Sequence, residues 1–110
     1  MNINKLIINA LNKFNLPTTY MKYSGSQPSY LTFFLVNNYD DDYSDNNGEI
    51  DVYSIQIDLW SKEDTTTLKE EIKKELKKTF RDVTFQDLYE DETGTYHTAF
   101  RCYYYEESEE

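Results

Sequence analysis

The sequence predicts an α+β domain: a single antiparallel four-stranded sheet with two helices on one face, in the order α-β-β-α-β-β. Three observations predict it. Apolar residues recur at helical spacing in two segments, apolar and polar residues alternate at strand spacing in four, and the strands fall into two consecutive pairs without the buried apolar runs of a βαβ crossover. A chain of 110 residues suits one domain with one modest core.

The first helix is read over Asn2 to Phe14, where Ile3, Leu6, Ile7, Ala10, Leu11 and Phe14 line one side. Asn15 suits a C-cap and Pro17 prevents continuation. The stretch TTYMKYSGSQPS then reads as an irregular connection, with turn residues Gly25 and Pro28. Tyr30 to Asn37 is rich in aromatic and β-branched residues and reads as the first strand. Ile50 to Trp60 is the second and longer one, with Tyr53, Ile55, Ile57 and Leu59 on the core face and Ser54, Gln56 and Asp58 on the other. Ser61 and Asp64 have the spacing of a capping box ahead of a helix carrying Leu68, Ile72 and Leu76, closed by Phe80. Asp82 to Glu90 and Thr95 to Tyr105 alternate as the last two strands, and EDETG between them supplies a turn in which Gly94 takes positive φ. Residues 1–105 thus form the domain, and the ending EESEE, residues 106–110, is expected to be a disordered acidic tail.

Between the first two strands lies NNYDDDYSDNNGEI, Asn37 to Ile50. An EF-hand loop with Gly48 at its sixth position would put Asp45 at the third and Asn47 at the fifth, but Tyr43 and Ser54 at the two anchoring positions, so no calcium loop is expected. The stretch reads as a long polar hairpin tip.

Eleven Lys and Arg against 21 Asp and Glu leave a net charge of −10, which disfavours specific binding to a phosphate backbone. The single cysteine, Cys102, forms no internal disulfide, and the N-terminus is amphipathic where a signal peptide would be apolar, so residence in the cytoplasm is expected. No segment approaches the ~18 consecutive apolar residues of a membrane span. Eleven Tyr and six Phe suit half-buried sheet faces and protein interfaces.

Little in the chain suggests catalysis. His97 and Cys102 are the lone residues of their types and, an odd number of positions apart on one strand, face opposite ways. They are too few for a structural zinc site. Asp40, Asp41, Asp42 and Asp45 are close in sequence, but a polar hairpin tip does not desolvate them or split their pKa values. There is no GxxxxGK[ST] and no GxGxxG. No enzyme activity, metal or cofactor is expected.

Taken together, the stretch SYLTFFLVNNYDDDYSDNNGEIDVYSIQIDLWSKED and the later DLYEDETGTYHTAFRCYYY resemble the tail terminator, or tail-to-head joining, proteins of long non-contractile-tailed (siphovirus-type) phages and prophages of Gram-positive bacteria. The resemblance spans about Leu16 to Tyr105 and rests on a small acidic chain, an aromatic strand ending in an Asp-rich hairpin, IQIDLWSK leading into a charged helix, and a C-terminal hairpin of the form LYE…T…YH…FRCYY. It implies an α+β subunit that assembles as a hexameric ring on the tail tube, stops tube growth and docks to the head connector. Partners would be the tail tube protein and the head connector or completion protein, with DNA passing through unbound. The protein would reside in the host cytoplasm during assembly and then in the virion neck. Tyr39, Asp40, Asp41, Asp42, Tyr43 and Asp45 are the candidate interface or channel residues. The alternative is an acidic inhibitor or DNA mimic that blocks a basic partner site.

Overall fold

The computed structural model describes residues 2–41 and 50–107. Helix α1 is Ile3–Leu11, capped by the Asn2 side chain accepting from the Lys5 amide, and a 3₁₀ turn Asn12–Phe14 ends at Asn15 in the left-handed region, φ 56°. Then come β1 (Thr18–Tyr20), β2 (Ser29–Asp41), β3 (Ile50–Ser61), α2 (Thr66–Leu76), β4 (Arg81–Glu90) and β5 (Thr95–Glu107). The strands form one five-stranded sheet in the order β1-β2-β3-β5-β4.

This corrects the expected four-stranded antiparallel sheet. Thr18–Tyr20 is a strand, and it pairs parallel to β2, Thr18 opposite Leu31 and Tyr20 opposite Phe33. Three residues are too few to display a period of two. The Pro17 carbonyl accepts from the Leu31 amide at 2.7 Å, and the Met21 amide donates to the Phe33 carbonyl at 2.9 Å, so this segment satisfies an edge of β2 that would otherwise be bare. The remaining pairs are antiparallel.

The core lies between the helices and one face of the sheet. Ile7 and Leu11 of α1 and Ile72 and Leu76 of α2 meet Leu31, Phe33, Ile55, Ile57, Leu59, Phe100 and Cys102, all buried. Burying a side chain of this size contributes roughly 1.5–3 kcal/mol, so this one layer supplies most of the driving force for folding.

Other boundaries also move. Helix α2 begins at Thr66, because Ser61 still belongs to β3 and its hydroxyl accepts from the Glu63 amide. Asp64 accepts from the Thr66 amide and hydroxyl instead, and these two bonds hold its carboxyl below the usual range. Gly94 has φ 64°, as the turn requires. Strand β5 continues through Glu107, past the Tyr105 boundary read from the sequence.

Candidate functional site

Past the core the three central strands continue as an arm. The core cluster stops at Tyr53 and Tyr104, whereas β2 runs on to Asp41 and β5 to Glu107. A 13-residue strand spans about 43 Å, which accounts for most of the molecule's 50 Å length against a 23 Å width.

Asn37–Asp41, read from the sequence as hairpin tip, is thus paired strand. Asn38 lies opposite Tyr53, Tyr39 opposite Val52, and Asp40 opposite Asp51. Among the candidate residues, Tyr39 and Asp40 are exposed and Asp41 is half-buried; Asp42, Tyr43 and Asp45 lie outside the described residues. Polar side chains misled the reading because backbone pairing with an apolar β3 extends the ladder whatever β2 displays. A bulge at Val36, between the Leu35–Ile55 and Asn37–Ser54 pairs, resets the alternation. Tyr39 consequently faces away from the helices, in one row with Val52 and Tyr105, while Asp40 lies on the helix side in one row with Asp51 and Glu106.

That second row sets three carboxylates side by side across three strands. Asp51 and Glu106 were not singled out from the sequence, although the pairing that puts Asp40 opposite Asp51 follows once the hairpin is known. Asp51 accepts from Asn38 Nδ2 at 2.8 Å, and the Tyr53 hydroxyl donates toward Asp51 Oδ2 at 3.2 Å and Glu106 Oε1 at 3.4 Å. Burial, then the bond to and charge of Asp51, then Glu106, push the Tyr53 phenol up to about 12. Arg81 sits 5.2 Å over the ring of Tyr105, whose phenol is also pushed up, first by burial and then by Asp82.

The charge distribution sharpens the picture. Residues 23–61 and 102–110 contain no Lys or Arg. Asp40, Asp41, Asp42, Asp45, Glu49, Asp51, Glu106, Glu107, Glu109 and Glu110 are ten carboxylates, and the other 11 acids are matched by the 11 Lys and Arg. The whole net charge of −10 therefore belongs to this hairpin and the C-terminal end.

A second polar cluster lies on the sheet face opposite the core. Asp58 and His97 are both buried, with His97 Nε2 2.8 Å from Asp58 Oδ1 and Gln56 donating to the same carboxylate. The His97 ring stacks on Trp60 at 3.8 Å, Trp60 on Tyr30, and Tyr30 on Tyr23; the indole donates to Thr32. Gly25 permits the fold-back of Tyr23, because a Cβ there would stand 2.2 Å from the Tyr23 hydroxyl. His97 Nδ1 has no hydrogen-bond partner among the described residues, and Glu90 is 4.0 Å from it. The unbroken β5 register puts Cys102 on the other face, in the core, where burial pushes its thiol up to about 12. The Asp58–His97 bond ties β3 to β5 on the face opposite Cys102.

In the cleft between α2, β4 and β5, about 400 Å³, the charged side chains are engaged, Lys69 with Asp87 and Asp64 with Thr66. Among the described residues no three His, Cys, Asp or Glu side chains come together as a metal site, and no helix is long and apolar enough to cross a membrane.

No protein-family model matches the chain, and no curated protein matches it in sequence. Among solved structures, a chain of the "Virion of native gene transfer agent (GTA) particle" is similar in fold, with a TM-score of 0.51 over 88% of this chain and 84% of that one at 10% sequence identity.

Proposed function

We propose that this chain is a structural subunit of a phage-type particle, specifically a tail terminator or tail-to-head joining protein. The observation that carries the reading is the arm, a three-stranded extension with Asp40, Asp51 and Glu106 in one row, in a chain whose net charge of −10 equals the ten carboxylates of residues 40–51 and 106–110. The fold similarity to a chain of a virion particle supports the same class. In this reading the subunits form a ring, hexameric on the tail tube, with the head connector on the far side. The arms, with Tyr39, Asp40, Asp41, Asp42, Tyr43 and Asp45, line the channel or meet the neighbouring ring. Dense negative charge there keeps passing DNA from adhering to the wall. Deleting the gene from its parent phage or prophage tests this: overlong tubes and unjoined heads are expected, restored by the gene in trans. Particles of normal length and infectivity from the deletion would refute it.

The DNA-mimic reading retains one favourable observation. Asp40, Asp51 and Glu106 are fixed in strands, where rigid spacing is what a mimic needs. It predicts that the pure protein displaces DNA from a basic nuclease and is absent from purified particles.

A further inference from the structure

The outer edge of β2 is uncovered beyond Phe33, where a strained turn leads the chain away from it. Strand β1 pairs with β2 only at Leu31–Phe33, and no strand among the described residues pairs with that edge further on. Where β1 stops, the Lys22 amide donates to the Tyr20 carbonyl at 2.8 Å around Met21, whose φ is 72°. A three-residue turn of positive φ is rare and strained for a residue with a side chain. The Thr19 hydroxyl, donating to the Lys22 carbonyl at 2.8 Å, holds it in place. Tyr20 and Met21 stand exposed at the turn, and Leu35, Val36 and Tyr39 stand exposed along the strand it uncovers.

This edge offers backbone groups as well as side chains. The Leu31 amide and the Phe33 carbonyl point outward, to Pro17 and Met21, so Leu35 is the next residue whose amide and carbonyl point that way. Past the bulge at Val36 the outward positions become Asn38 and Asp40. The Asn38 amide donates to the Asn37 side chain at 2.9 Å, where a neighbouring strand would otherwise accept it. Open edges are ordinarily blunted by Lys or Pro, and Ser29–Asp41 contains no Lys, Arg or Pro. Its charge is negative, because Asp40 is the outer end of the helix-side row that continues through Asp51 to Glu106. The cations nearby stand apart from that end. Lys22 follows Met21, level with Phe33 and roughly 20 Å along the strand from Asp40, and Arg81, over the Tyr105 ring, lies on the opposite face.

We propose that the β2 edge from Phe34 to Asp40 binds an extended, basic segment of another protein as an added strand. Pairing with the backbone of Leu35, Asn38 and Asp40 supplies affinity, and alternate side chains of the segment supply specificity. Apolar ones lie against Leu35 on one face and Tyr39 on the other, and a Lys or Arg comes beside Asp40, adding a cation to a row of three carboxylates. The inference rests on the virion-subunit reading only for the source of the segment, a neighbouring protein of the particle. Its test uses pure protein and synthetic peptides, so either can fail without the other.

The probe is an end-blocked octapeptide of alternating valine and lysine, titrated into ¹⁵N-labelled protein at physiological salt. Saturating shifts are expected at the amides of Leu35, Asn38 and Asp40, and a valine–glutamate counterpart should bind about tenfold more weakly or worse. The valine–lysine peptide with every backbone amide N-methylated keeps its charge and side chains but has no strand donors, and it too should lose about tenfold or more. Asp40→Lys should weaken the parent peptide by about fivefold. Should that variant fail to fold, the N-methylated peptide still decides the matter on the wild type. No binding at millimolar peptide, shifts confined to other parts of the molecule, or equal affinity for the glutamate or the N-methylated peptide would overturn the proposal, as would unchanged affinity in a folded Asp40→Lys.

Discussion

Replacing Asp51 by Asn tests whether the arm holds uncompensated negative charge. Asp51 lies directly between Asp40 and Glu106, so one substitution removes two like-charge pairs. Carboxylates on opposed residues stand about 6 Å apart, and in water each pair repels by roughly 0.7 kcal/mol, or about 1.4 for both. At physiological salt the Debye length of about 8 Å cuts this by about half. The hydrogen bonds survive in rearranged form. The new amide oxygen accepts from Asn38, its NH₂ donates to the Tyr53 hydroxyl, and that hydroxyl donates to Glu106. A neutral acceptor is weaker than a carboxylate, which removes about 0.5 kcal/mol. The net gain is then about 1 kcal/mol at low salt and close to zero at physiological salt. For a domain of this size that corresponds to a Tm about 4 °C higher at low salt, read by circular dichroism at two ionic strengths. A lower Tm, or a shift that salt does not change, would refute the reasoning and leave the arm without free potential for a partner.

Ile57→Asp should abolish cooperative melting, since Ile57 is fully buried between Phe33 and Phe100 and an unpaired buried charge costs several kcal/mol against a total of roughly 5–15; a wild-type melting curve would contradict the core assignment. The Asp87 carboxyl is held below the usual range by Lys69 and then Thr98, so its contribution to stability is present above the ordinary carboxylate range and lost as pH falls through it. Lys69→Met should therefore shrink the acid-induced loss of stability in urea titrations, and an unchanged acid limb would exclude this pair as a source. The Tyr53 phenol, raised to about 12, favours folding below its ordinary value of 10 and ceases to as pH rises to about 12. In Tyr53→Phe the alkaline decline over that interval should be shallower; an equal slope would remove Tyr53 from the account. Changing Asp40, Asp41, Asp42 and Asp45 together to Asn should leave the fold intact and impair head joining or DNA passage, with a count of infectious particles as the readout and an unaltered count as the contrary result.

The sequence displays what periodicity can reach. Tyr53, Ile55, Ile57 and Leu59 line the helix-covered face because a long strand repeats its period several times, and α1 shows its stripe for the same reason. The failures are of three physical kinds. Thr18–Tyr20 is too short to have a period, and its pairing depends on a β2 edge remote in sequence. Asn37–Asp41 looks like loop by composition, yet its ladder is imposed by β3. Asp58 alternates onto the face away from the helices, as read from the sequence, but the aromatic stack from Tyr23 to His97 lies on that face too, so Asp58 is buried and paired there, which alternation alone does not show. The site was half legible. Tyr39 to Asp41 could be named from their run of carboxylates, whereas Asp51, Tyr53 and Glu106 enter through cross-strand register alone.

Where the charge resides changes the assembly argument. A net charge of −10 spread over the surface would set each subunit against every approach of another. Here residues 40–51 and 106–110 hold ten carboxylates and no Lys or Arg, and the Debye length in physiological salt, about 8 Å, is short beside the 50 Å length of the molecule. Outside those residues the 11 remaining acids equal the 11 Lys and Arg, so in the proposed ring the repulsion between subunits would be greatest where the arms converge. The barrier to association is then a property of arm geometry. On the proposed function, a tube or connector that holds the arms apart, or supplies cations between them, would lower that barrier, so that one chain stays dispersed before assembly and closes a ring at its destination.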